Sequence, residues 1–160
     1  GLWAYNVGDT IRFTSLKPFR ILVTGRVKHF ISAFGEHVIG KEVETALNRT
    51  LKNTSVKVVE FTVAPQNNPK SGLPYHEWFI EFNNPPESLS AFSKKLDESM
   101  QEENIYYKDL ISGKILKPLV IRKVIKNGFN IYMKKIGKLG GQNKLPRLSN
   151  DRSIVNKLLN

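Results

Sequence analysis

The amino-acid sequence predicts an α+β domain: a mixed β-sheet with a βαββαβ-like core, an N-terminal hairpin ahead of it, and helices flanking the sheet on one side. Three observations carry that expectation. Residues 56–63 and 76–82 alternate apolar and polar side chains, the period of a half-buried strand. Ile39, Val43, Leu47 and Leu51 recur every four residues, the period of a helix. A further strand-like run, LKPLVIRKVI at 116–125, follows a second helical stretch.

The elements follow in order. IRFT and RILVT lie on either side of Leu16-Lys17-Pro18 and predict a hairpin, with proline in the connection rather than inside a strand. The apolar row at Ile39/Val43/Leu47/Leu51 makes residues 40–51 a helix. SVKVVEFTVA alternates through Val56, Val58, Phe61 and Val63, broken at Val59. After the polar loop QNNPKSGLP, HEWFIEF sets Trp78 and Ile80 against Glu77, Phe79 and Glu81, so the two strands pair as an antiparallel ribbon. A helix follows Pro86, with Leu89, Phe92, Leu96 and Met100 inward, Ser88 or Asn84 as cap, and Asp97, Glu98, Glu102 and Glu103 as its wet face. FNIYMKKI is a short helix presenting Phe129, Met133 and Ile136 on one side. SNDRSIVNKLL closes the chain as a helix capped by Ser149 or Asn150.

Length and composition suit one globular domain. At 160 residues a chain buries roughly 70% of the surface its unfolded form exposes. No apolar run approaches the roughly 18 residues that cross a bilayer, and no signal-peptide pattern opens the chain; GLWAYNVGD reads as the interior of a longer protein. The absence of cysteine excludes disulfides, thiol nucleophiles and thiolate zinc sites, and fits a reducing cytoplasm. His29, His37 and His76 have no spacing that makes a helical metal pair.

Charge is lopsided. Residues 1–112 hold 13 basic and 13 acidic side chains, whereas residues 113–160 hold 12 basic against Asp151 alone, so the final third carries the whole net charge of +11. Such a field faces an anionic partner or is a solvated basic face.

Four local features bear on chemistry. Asp9, after Gly8, suits a sugar diol or the capping of a turn. Gly25-Arg26-Val27-Lys28-His29 places cations after the second hairpin strand, toward phosphate or merely around a charged turn. Phe34-Gly35-Glu36-His37 sets an ionisable pair ahead of the first helix, where anions are welcome, or where the pair simply solvates the turn. KKIGKLGGQNKLPR combines Gly137, Gly140 and Gly141 with Lys134, Lys135, Lys138, Lys144 and Arg147, donors suited to polyphosphate but equally to RNA. It is not a Walker A motif, since the spacing differs and no Ser or Thr follows the lysine. No Ser/His/Asp arrangement, carboxylate pair or metal cluster is legible.

The order of segments goes further. YNVGDTIRF, ILVTGRVKHF and AFGEHVIGKEVETAL together resemble the junction between the large and small domains of adenylate-forming enzymes, the superfamily of firefly luciferase and acyl-CoA synthetases. VAPQ, GLPYHEWFIEF, IYYKDL and GKLGGQNKLPRLSNDR are similar to the auxin-responsive acyl-acid-amido synthetases, in particular their bacterial relatives. The resemblance implies that residues 1–26 end a large adenylating domain and that residues 27–160 form its C-terminal lid. It implies an ATP- and Mg2+-dependent ligase that adenylates a carboxylic acid and then joins it to an amino acid, with both cofactors bound mainly by the large domain. Carried over by position, Asp9 holds the ribose hydroxyls, Arg26 reaches the ribose or phosphate, Lys28 is the hinge residue, and Lys144 touches the phosphates, with Lys138 in reserve. By that resemblance His37 stands where plant members place a phosphate-contacting lysine, and Lys28 where many superfamily members have Asp. The partners implied are the large domain and the two substrates, with neither nucleic acid nor membrane, in the cytoplasm, and the isolated chain is expected to be inactive. The alternative is a basic nucleic-acid-binding α+β module, which needs exposed aromatics among the charges; Phe129 and Tyr132 are near but at helical, core-like spacing.

Overall fold

The computed structural model describes residues 9–26, 30–140 and 143–158. Strands β1 (Asp9–Leu16) and β2 (Phe19–Arg26) form the expected antiparallel hairpin, turning through a cis Lys17–Pro18 bond. A two-residue ribbon follows, β3 (Phe30–Ile31) with β4 (Val38–Ile39), and runs directly into α1 (Gly40–Leu51). Glu42 in the first turn of α1 reaches back to accept the Ile39 N–H at 2.9 Å, satisfying one amide that no helical carbonyl can reach.

The centre of the molecule is a three-stranded mixed sheet in the order β5 (Lys57–Gln66), β6 (Tyr75–Asn84), β7 (Val120–Val124). β5 and β6 are antiparallel; β6 and β7 are parallel, joined through α2 (Leu89–Glu103) and α3 (Ile105–Ser112). The break in alternation at Val59 is a register shift between Val58 and Glu60, which turns Val59 out to solvent. Past β7 come α4 (Gly128–Lys135) and α5 (Ser153–Leu158).

The sheet is covered on both faces, not on one. Phe61, Val63, Trp78, Ile80 and Ile121 pack against Val43, Leu47, Phe92, Leu96 and Met100 of α1 and α2. Ala64 and Phe79 face the other way, into a second core with Phe129, Tyr132, Leu145 and Val155. The face of β6 that carries Glu77 and Glu81 beside Phe79 is therefore interior. Each carboxylate has partners that make its burial tolerable. Glu77 accepts from Arg122 Nε and Arg152 Nη2, both at 2.7 Å. Glu81 takes the N–H groups of Asn127 (2.7 Å) and Phe129 (3.4 Å), so a strand carboxylate caps the start of α4. Gly128 is required at that junction, because a Cβ would lie 2.5 Å from Val124 Cγ1.

Two further expectations are corrected. Asp97 is not on a wet face. α3, a helix that periodicity did not reveal, returns across α2 and brings the Tyr107 hydroxyl to 2.6 Å from Asp97 Oδ1, which also accepts the Leu119 N–H at 2.9 Å. Burial and the Asp97 carboxylate hold the Tyr107 phenol well above its ordinary pKa. Of the two candidates for the cap of α2, Ser88 is the one used, accepting the Ala91 N–H. At α5 the Ser153 N–H goes instead to Asp151 (2.8 Å), whose short side chain reaches it two residues on, while Asn150 turns away to accept the Ser32 N–H.

Candidate functional site

The glycine-lysine segment divides sharply along its length. Leu145 is buried in the second core, and the residues after it lie along the outer edge of β5. Thr62 Oγ1 donates to the Pro146 carbonyl (2.8 Å), the Val63 N–H donates to the Arg147 carbonyl (2.9 Å), and the Ser149 N–H donates to the Val63 carbonyl (2.9 Å). A parallel bridge joins Leu148 to Val63, so residues 146–149 cover an edge that would otherwise stand open.

The cations of this region do different work. Arg147 lies over the Phe61 ring, 4.7 Å from its centroid, and pairs with Glu44 and Glu60. Arg152 is tied to Glu77 and to the Pro65 carbonyl. Both are spent inside the domain. Lys138 and Lys144 are exposed and engage no carboxylate among the described residues. Lys144 stands one residue ahead of the buried Leu145, so its base is anchored while its ammonium is in water. A cation so placed suits phosphate, for which lysine acts as a point charge.

The Phe34–Val38 turn is the second feature. Glu36 is fully buried. Its carboxylate accepts the Phe34 N–H at 2.8 Å and pairs with His76 Nε2 of β6 at 2.8 Å. Its carbonyl accepts Asn104 Nδ2–H at 3.1 Å from the α2–α3 junction. Burial alone raises the pKa of Glu36, but the bond to His76 and the backbone amides outweigh it and hold the carboxyl below its usual value. Burial has the last word at Glu42, which is raised. His37 follows with its side chain exposed and its backbone in the left-handed region, φ 47°. Glu36 is thus an internal pairing residue rather than a solvated partner of His37.

Asp9 and Arg26 are register partners at the open end of the hairpin. Lys28 lies outside the described residues. Lys144 precedes Leu145 of the second core, and His37 precedes Val38 of the first. Among the described residues no group of three or more His, Cys, Asp or Glu side chains gathers as a metal site. A groove of about 640 Å³ between α2 and β7, floored by Leu89, Leu119 and Ile121, holds none of these residues. Phe129 and Tyr132 are buried and offer no stacking surface to a nucleobase. No described helix is long and apolar enough to cross a membrane. His76 and Asn104 carried no signal in the sequence beyond a histidine next to an acidic residue in a strand.

A family model described as the GH3 family C-terminal domain matches residues 41–153. That span includes Lys138 and Lys144 but begins after His37. Among solved structures, the chain is similar to one described as "GH3.15 acyl acid amido synthetase", at 21% identity and a TM-score of 0.77 over 99% of this chain and 31% of that one. It is similar also to one described as "AtGH3.15 acyl acid amido synthetase in complex with 2,4-DB", at 20% identity and a TM-score of 0.74 over 99% of this chain and 30% of that one. The chain spans about a third of the length of these structures, and at such identities the likeness speaks for the fold. No curated protein matches it.

Proposed function

The chain belongs to the GH3 C-terminal domain family, and on that premise we propose that it is the lid of an acyl acid amido synthetase. Residues 1–26 end the large adenylating domain and residues 27–160 form the lid, hinged at Lys28. In the first half-reaction a carboxylate oxygen of the acyl substrate attacks the α-phosphorus of ATP and pyrophosphate leaves. In the second, the amine of an amino acid attacks the acyl carbon, the amide forms and AMP departs. The large domain holds ATP, its Mg2+ and the acid. The lid adds Lys144 at the phosphates, with Lys138 in reserve and His37 as a second contact, while Asp9 and Arg26 meet the ribose and neighbouring phosphate. The reaction belongs in the cytoplasm, where ATP is at hand, and it involves neither nucleic acid nor membrane. Alone the chain is inactive, because a lid works only by completing a cleft.

One observation carries this reading: Lys144 pairs with no carboxylate among the described residues and stands on a base fixed by Leu145 and by three hydrogen bonds to β5, while the arginines around it are consumed internally. A preorganised charge of that kind stabilises negative charge as it moves toward pyrophosphate. In the intact enzyme Lys144→Ala should therefore slow adenylation on the order of 100-fold, about 2.7 kcal/mol. Attack of the amino acid on preformed acyl-adenylate should change far less, since pyrophosphate has already left. Equal losses in both half-reactions, or a loss confined to Lys138→Ala, would show the assignment wrong.

A further inference from the structure

The turn that carries His37 is held from elements distant in sequence. His76, 40 residues away on β6, takes the Glu36 carboxylate; Asn104, 68 residues away, takes the Glu36 carbonyl. Asn104 ties this contact to two others, donating to Glu42 Oε2 at 3.1 Å and accepting the Tyr107 N–H at 2.8 Å as the cap of α3. The His76 ring in turn lies against that of Tyr107, centroids 5.1 Å apart. The residue that follows Glu36 in this clamped turn is His37, whose left-handed backbone costs a residue with a Cβ roughly 1–2 kcal/mol and persists where the surroundings impose it.

Stability gives little reason for this arrangement. Replacing a buried ion pair with well-packed apolar groups is often neutral or favourable. A carboxylate and an imidazole, both essentially without solvent contact, do however fix one geometry where an apolar contact would tolerate several. We propose that His76 and Asn104 are positioning residues, which clamp Glu36 from β6 and from the α2–α3 junction so that His37 is presented to the bound nucleotide. This rests on the reading of His37 as a nucleotide contact. It adds to that reading two residues from outside the turn and a route by which the packing of α3 against β6 sets the active-site geometry.

The test uses the full-length enzyme and five variants: His37→Ala, His76→Gln, Asn104→Asp, and each of the last two combined with His37→Ala. Asn104→Asp keeps the oxygen that caps α3 and removes the donor to Glu36, along with the one to Glu42. The readouts are kcat and KM for ATP in pyrophosphate exchange, together with melting temperature. Each clamp variant should lower kcat on the order of 10-fold, as small misplacements of reacting groups do. In the His37→Ala background neither should cause further loss, because the clamp acts only through His37. Additive losses, or unchanged kinetics in both clamp variants, overturn the positioning role while leaving His37 as a contact. If His37→Ala itself leaves exchange unchanged, the contact reading fails and the positioning role falls with it. Should His76→Gln fail to fold, Asn104→Asp carries the same prediction alone.

Discussion

The β1–β2 hairpin and the β5–β6–β7 sheet are built from the same kinds of residue and end in opposite environments. In the sheet, Val63, Ala64, Trp78, Phe79 and Ile80 have no solvent contact. In the hairpin, Ile11, Phe13, Leu16, Phe19, Ile21, Leu22 and Val23 remain 44–76% exposed. The register places Ile11 opposite Val23 and Phe13 opposite Ile21, so one face is an apolar stripe that stays about half exposed. A strand's pattern selects a face; it does not supply the cover. α1, α2, α4 and α5 cover the sheet from within this chain, whereas a two-stranded hairpin is marginal alone and needs a partner. In the proposed architecture that partner is the large domain, to which residues 1–26 belong.

The comparison breaks or sharpens under substitution. The largest effect should come from Phe79→Ala, which opens the second core and costs about 3–5 kcal/mol in denaturant unfolding of this chain. Phe19→Ala, the same change in the hairpin, should cost no more than about 0.5 kcal/mol here, since the ring is largely exposed and meets Phe13 edge-on. In the full-length enzyme it should cost about 1.5–3 kcal/mol, if the proposed large domain covers the ring there. Equal costs for Phe19→Ala and Phe79→Ala in this chain would erase the distinction. Asp97→Ala comes next, at about 3 kcal/mol, by leaving the Tyr107 hydroxyl and the Leu119 N–H without their acceptor.

A smaller, pH-dependent effect belongs to Glu36. Its folded-state pKa lies below the ordinary 4.5, so between the two values the unfolded chain binds more protons. The stability it contributes is present above 4.5 and lost as pH falls through the folded value. Melting temperatures followed downward from about pH 6 should fall less steeply in Glu36→Gln than in the parent chain. A parallel decline in both would show that another group governs the acid limb. Glu42, raised by burial, works in the opposite sense and is unchanged in that pair.

Much of the architecture was legible because it rests on local periods. α1 occupies the residues its apolar row marked, Ser88 caps α2, and the irregularity at Val59 is a bulge. α3 went unread because its eight residues follow Asn104 without a break in the pattern long enough to separate it from α2. Asp97 reads as wet from the sequence because the groups that bury it, Tyr107 and Leu119, lie 10 and 22 residues away on other elements, beyond any local window. The two carboxylates flanking Phe79 on one strand face were the available hint that the face is interior. In the site, the cationic type of Lys144 was visible, and so was the exposed setting of His37; the anchoring of the one and the clamp behind the other were not.

By itself the sequence determined the succession of strands and helices, the basic final third, the lack of cysteine chemistry and the motifs that mark the family, all of which depend on residue identity and short spacing. Only the tertiary structure decided which cations remain available. Arg147 and Arg152 are consumed by Glu44, Glu60 and Glu77, and Lys144 is left exposed, because an ion pair depends on which strands and helices the fold brings within about 4 Å, a distance that spacing along the chain does not encode.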